Sequence, residues 1–253
     1  MILYRRFLPF LVPILVGWAF LFQSTHASLY PWIALLPVLV VLGASCLIAW
    51  GHVAWRDVLE KMSPLWLFLA CVGFAQLLLE SSFAQIAVAI VAAIATLIGL
   101  ELLFLLAFDP IAYPINGLAY LNIALVPAIA YFAFSTAWGV WVFVHTPIVW
   151  NILLGAFLGL ILFRTTGHPG ATREQNNRWM IVGLLAGAEI GWLITLMPVS
   201  MPVEGTLAAI GISGILRMRR YLYEPQPPRT LARIELIGVF TCLLLICMTA
   251  KWI

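Results

Sequence analysis

Two acids stand inside long apolar runs: Glu101 in the run 85–108, and Glu189 in the run 179–199. A carboxylate at the centre of an inserted helix costs about 2.5–3.5 kcal/mol on insertion scales, while each surrounding leucine or isoleucine returns only about 0.3–0.6. Such a span still inserts, but its acid is expected to turn away from lipid. Two roles suit it. One is a proton or cation relay, or a polar anchor for a substrate. The other is an uncharged carboxyl that hydrogen-bonds two helices together. No basic residue lies deep in any run to form an ion pair, which favours the second role. Trp192, one turn beyond Glu189, offers an indole N–H, and Asn122, Asn151 and Gln76 offer amides to either acid. Glu189, Trp192, Glu101, Asn122 and Asn151 therefore form the candidate polar centre.

Other reactive patterns are sparse. The chain has no HExxH, no GxGD and no DxxxD, and Asp57 and Asp109 are its only aspartates. Cys46, Cys71, Cys242 and Cys247 all fall in apolar runs, with no CxxC pair among them. His26 and His145 are expected on one side of the membrane, His52 and His168 on the other. Neither a metal site nor a cofactor is expected, and no catalytic residue is assigned. Asp109, His52 or His168 at the inner face would serve an enzyme acting on an amphiphile, but their spacing does not favour it.

The elements that must position these residues are helices. The 253-residue chain is 64% hydrophobic and 9% charged, with mean hydropathy +1.08. That balance leaves a soluble domain without enough polar surface. Long apolar runs recur from end to end, and the ten-residue alternation of a transmembrane barrel is absent. A net charge of +3 gives no nucleic-acid footprint. The expected fold is an all-α membrane protein: one polytopic bundle, residues 1–253, of about nine transmembrane helices (eight to ten).

The proposed spans are 7–22, 29–50, 63–79, 85–108, 118–142, 147–163, 179–199, 202–218 and 234–250, with an interfacial helix over 51–62. The polar stretch 23–28 resembles a signal-peptidase site, and the first run is read as a retained anchor. With the N-terminus in the cytoplasm, the inner side carries Arg5, Arg6, Arg56, Lys61, Arg164, Arg173, Arg178, Arg217, Arg219, Arg220, Arg229 and Arg233. The outer side carries no Lys or Arg before Lys251, as the positive-inside rule requires. Arg217, Arg219, Arg220 and Arg229 are a candidate patch for anionic lipid head groups or a cytoplasmic partner; as topology signals they need neither.

Gly183, Gly187 and Gly191 recur every fourth residue and make a bare ridge along the seventh span. Glu189 lies roughly 200° round the helix from Gly187. Ridge and acid thus face nearly opposite ways, and the expectation is protein on both sides. Asn151, Gly155 and Gly159 make a matching small stripe on the sixth span.

Glu189, Trp192 and Pro198, with the closing Thr249-Ala250-Lys251-Trp252, resemble a pattern in uncharacterised polytopic families of ultra-small, reduced-genome bacteria. The resemblance touches about the last third of the chain. It implies a multi-pass bacterial inner-membrane protein and no activity. The function expected is a non-enzymatic membrane component, either a subunit of an assembly or a small transporter-like bundle. The alternative is an intramembrane enzyme acting on a lipid or isoprenoid. Expected partners are the bilayer, other membrane subunits and anionic lipids, with no nucleic acid.

Overall fold

The computed structural model describes residues 2–166, 173–197, 199–223 and 229–250. Gly167, His168, Gly170, Pro198, the linker 224–228 and Lys251–Ile253 lie outside them, as do the side chains of Arg173, Arg220 and Arg229. The chain is an all-α polytopic membrane bundle. Its helices are α1 (Ile2–Thr25), α2 (Trp32–Ala49), α3 (Trp55–Ala75), α4 (Ser82–Phe108), α5 (Gly117–Val144), α6 (Ile148–Thr165), α7 (Arg173–Leu196), α8 (Met201–Tyr223) and α9 (Arg229–Thr249). Eight of them, all but α8, are long and apolar enough to cross a membrane.

Two expected boundaries move. The interfacial helix and third span are one helix, α3, which carries Pro64 in its interior instead of at a first turn. The seventh span starts at Arg173, so Arg178 and Glu174 belong to its first turns, paired at 2.6 Å. Helix α8 falls short in apolarity because Glu204, Arg217, Arg219 and Arg220 dilute it.

The chain divides into two compact units, Met1–Leu125 and Val126–Ile253, with the boundary inside α5. In the first unit α1 runs antiparallel to α4, and α2 packs on α1, α3 and α4. Between lipid tails as apolar as leucine, helices associate through close packing and a few polar contacts rather than by hydrophobic exclusion. The sequence supplies both. Ala89, Ala92, Thr96 and Gly99 of α4 are buried, while Ile86, Ile90, Ile94 and Ile98 form an exposed stripe suited to acyl chains. Near the other end of α1, Gln23 donates to the Gly73 carbonyl at 2.6 Å and Gln76 donates to the Phe20 carbonyl at 3.2 Å. Both amides are buried and tie α1 to the end of α3.

In the second unit α6 and α7 make the most extensive helix pair. Helix α8 packs on both α7 and α9, and it lies antiparallel to α7: Gly211 sits by Ile190, Arg219 by Asn176 and Trp179. It therefore covers the same depth as α7 despite its polar residues.

Candidate functional site

The second unit is organised by the contact of α6 with α7. Asn151, Gly155 and Gly159 on α6 stand opposite Gly191, Gly187 and Gly183 on α7, in antiparallel register. A methyl group added at Gly155 would overlap the Gly187 carbonyl, and one at Gly159 the Gly183 carbonyl. Only glycine permits backbones this close. The small stripe on α6 thus meets the ridge on α7, and the rotation of α7 is fixed.

That rotation decides where Glu189 points. It lies about 15 Å along the helix from Trp179 and about 10 Å short of Leu196, at 1.5 Å per residue, well inside the apolar span. Its side chain is exposed, Trp192 is 50% exposed, and Ile181, Leu185, Leu193 and Leu196 are exposed around them. The expectation of protein on both sides of α7 is therefore corrected. One side is sealed against α6, and no described residue of the second unit covers Glu189 on the other. Trp192 gives Glu189 no hydrogen bond, and Glu189 has no ion-pair or hydrogen-bond partner among the described residues.

The remaining members of the expected polar centre are dispersed. Glu101 accepts a 2.6 Å ion pair from Arg6 Nη1, with the guanidinium stacked on Phe104 at 4.8 Å. No basic residue lies deep in a run, but one in the opening turns of α1 reaches this acid. Arg6 falls in the opening turns of α1, and the antiparallel packing brings it level with Glu101, which lies about 10 Å from the end of α4. Asn122 does not serve an acid; its amide donates to the Lys61 carbonyl at 3.0 Å. Asn151 is buried in the seam, and its backbone carbonyl borders Gly191.

The arginine patch divides likewise. Arg217 is exposed, but Arg219 is 2% exposed. Its Nη1 donates to the carbonyls of Phe163 at 3.3 Å and Thr166 at 3.2 Å, and its Nη2 to Asn176 Oδ1 at 2.5 Å, with the guanidinium over Trp179. Two of these acceptors are carbonyls at the C-terminal end of α6, where orphan carbonyls need donors; the third is a side-chain amide oxygen in the first turn of α7. Arg219 is a structural clamp rather than a head-group ligand.

Two residues escaped the sequence reading. Glu204, in the first turn of α8, is fully buried, and neither carboxyl oxygen has a hydrogen-bond partner among the described residues. Beside it, Gly205 touches Tyr131 and Ser135 of α5, and the Ser135 hydroxyl donates to the Met201 carbonyl at 3.3 Å. The burial signal was faint, because an acid in a first helical turn is ordinary. Ser213 lies in a Gly-x-Ser-Gly tetrapeptide, Gly211–Gly214, but its Oγ is buried without a partner. A serine nucleophile needs a base within hydrogen-bond reach, and this hydroxyl has none among the described residues.

Among the described residues, no three His, Cys, Asp or Glu side chains gather closely enough to hold a metal ion. What the arrangement offers is one apolar helix face with a carboxylate and an indole at its middle. Compared with protein-family models, curated proteins and solved structures, the chain shows no match.

Proposed function

We propose that this chain is a non-enzymatic subunit of a larger assembly in a cytoplasmic membrane, and that α7 is the helix on which a neighbour docks. The observation that carries this reading is the exposed carboxylate of Glu189 well inside the apolar span of α7. Intramembrane acids face protein or water, because lipid returns nothing for the charge or for the lost hydration. The seam with α6 leaves the helix no freedom to turn the acid inward. The exposed Trp192 is compatible with the same reading, since indole rings are enriched where protein surfaces meet.

The test is the native size of the chain extracted in mild detergent from its own membrane. A particle larger than the monomer is expected, and Trp192→Ala should shrink it while Ile94→Ala, on the acyl-facing stripe of α4, leaves it unchanged. A monomer of unaltered size for all three proteins would overturn the reading.

A further inference from the structure

We infer that the neighbour seated on α7 is a transmembrane helix of a different chain, carrying a lysine or arginine that pairs with Glu189 and packs on Trp192. This rests on α7 being a docking helix, and it names the chemistry of what docks. Four observations lead there.

First, Glu189 and Trp192 are both exposed and stand one turn apart on one face of α7. A carboxylate beside an aromatic wall is a receptor for a cation: the acid takes the charge-assisted hydrogen bond and the indole takes the face of an ammonium or guanidinium. Second, the residues one turn either side of Glu189 are Leu185, Ala186, Trp192 and Leu193. None supplies a positive charge, and the one N–H, on Trp192, is not bonded to the acid.

Third, two cations of the second unit, at the start of α7 and near the end of α8, are committed elsewhere. Arg178 pairs with Glu174, and Arg219 is clamped to the ends of α6 and α7. Fourth, a second copy of the chain is a poor occupant. Two-fold docking through this face would bring Glu189 against its own equivalent, and residues 182–196 of α7 carry no Lys or Arg to offset it.

The test uses the full chain in lipid bilayers with a synthetic leucine–alanine transmembrane peptide carrying one central lysine. The same peptide with a central leucine is the control, and association is read by energy transfer between dyes. The lysine peptide should bind about tenfold more tightly than its control, a preference of the size that one charge pair provides. Glu189→Gln, nearly isosteric, should abolish the preference, and Glu189→Lys should transfer it to a peptide with a central glutamate. Helix content by circular dichroism verifies that each variant is folded.

Equal binding of both peptides, no binding of either, or a preference that survives Glu189→Gln would overturn the inference. So would self-association of the chain through α7. A photo-reactive side chain at Leu185 separates this from the docking reading. Cross-links in the native membrane to another chain lacking a mid-membrane cation would refute the cation and keep the docking helix. Cross-links only to lipid, or only within the same polypeptide, would refute both.

Discussion

Gly187 and Glu189 are two residues apart on α7 and lead opposite lives: one lies beneath the Gly155 carbonyl, the other faces out of the helix pair. The small residue is what aims the large one. If α7 could not approach α6 so closely, its rotation would be free and its acid would have no defined direction.

Gly187→Ala should therefore damage the fold more than its size implies. The added methyl meets backbone rather than a movable side chain. Overpacking of this kind costs about 1–3 kcal/mol. Gly43→Ala on α2 is the control, because nothing lies within 4 Å of the added carbon. It should be neutral or slightly stabilising, given alanine's helix preference of about 1 kcal/mol over glycine. Unfolding by titrated denaturing detergent measures both.

The seam was legible in the sequence because small residues at every fourth position have one geometric meaning. The depth of Glu189 was legible for a similar reason, since helix rise converts residue number into distance. What covers each face was not. The sequence marks two faces of α7 as unsuited to lipid, but only tertiary packing shows that α6 takes the glycines and nothing in the unit takes the acid. Arg6 and Arg219 show the same limit. As basic residues at inner helix ends they read as orientation signals, and nothing local separates such a signal from an ion pair to Glu101 or a clamp on α6.

The Arg6–Glu101 pair should contribute modestly. Its side chains are 44% and 28% exposed, and Arg6 lies in the opening turns of α1, toward the head groups, where water and salt weaken a charge pair. A double-mutant cycle with Arg6→Gln and Glu101→Gln should give a coupling of about 0.5–1 kcal/mol. A coupling near zero would mean that stacking on Phe104, rather than the charge, holds Arg6.

Arg219→Lys should cost far more, about 1.5–3 kcal/mol, because a buried donor set to three oxygens is lost. An ammonium carries the same charge but cannot present a planar fork to two carbonyls and an amide while lying over Trp179. If the substitution were neutral in the same unfolding measurement, the fork geometry would be irrelevant.

Glu204 should behave in the opposite way. A fully buried carboxyl with no donor among the described residues at either oxygen gains nothing from its polarity, so Glu204→Met should be neutral or stabilising by about 1–2 kcal/mol. The size of methionine suits the space, and the packing of Gly205 on Ser135 is untouched. Destabilisation by both Glu204→Met and Glu204→Gln would show that the acid has a partner, and the acid would join the functional residues of the chain.

The path of α8 yields a prediction about topology. Its composition falls short of a spanning helix, yet its antiparallel contacts with α7 extend from Ile190 to Asn176. A helix of 23 residues is about 35 Å long, enough to cross the hydrocarbon core. The turn at Ser200 and the exposed Arg217 should then lie on opposite sides of the membrane. In a cysteine-free background, Ser200→Cys should react with an impermeant thiol reagent added outside intact cells, and Arg217→Cys only after the membrane is opened. Thr146→Cys and Arg56→Cys provide the outer and inner references. If positions 200 and 217 reacted on the same side, α8 would be a re-entrant or interfacial helix. Glu204 would then lie within reach of the head groups, and α9 would run in the reverse direction.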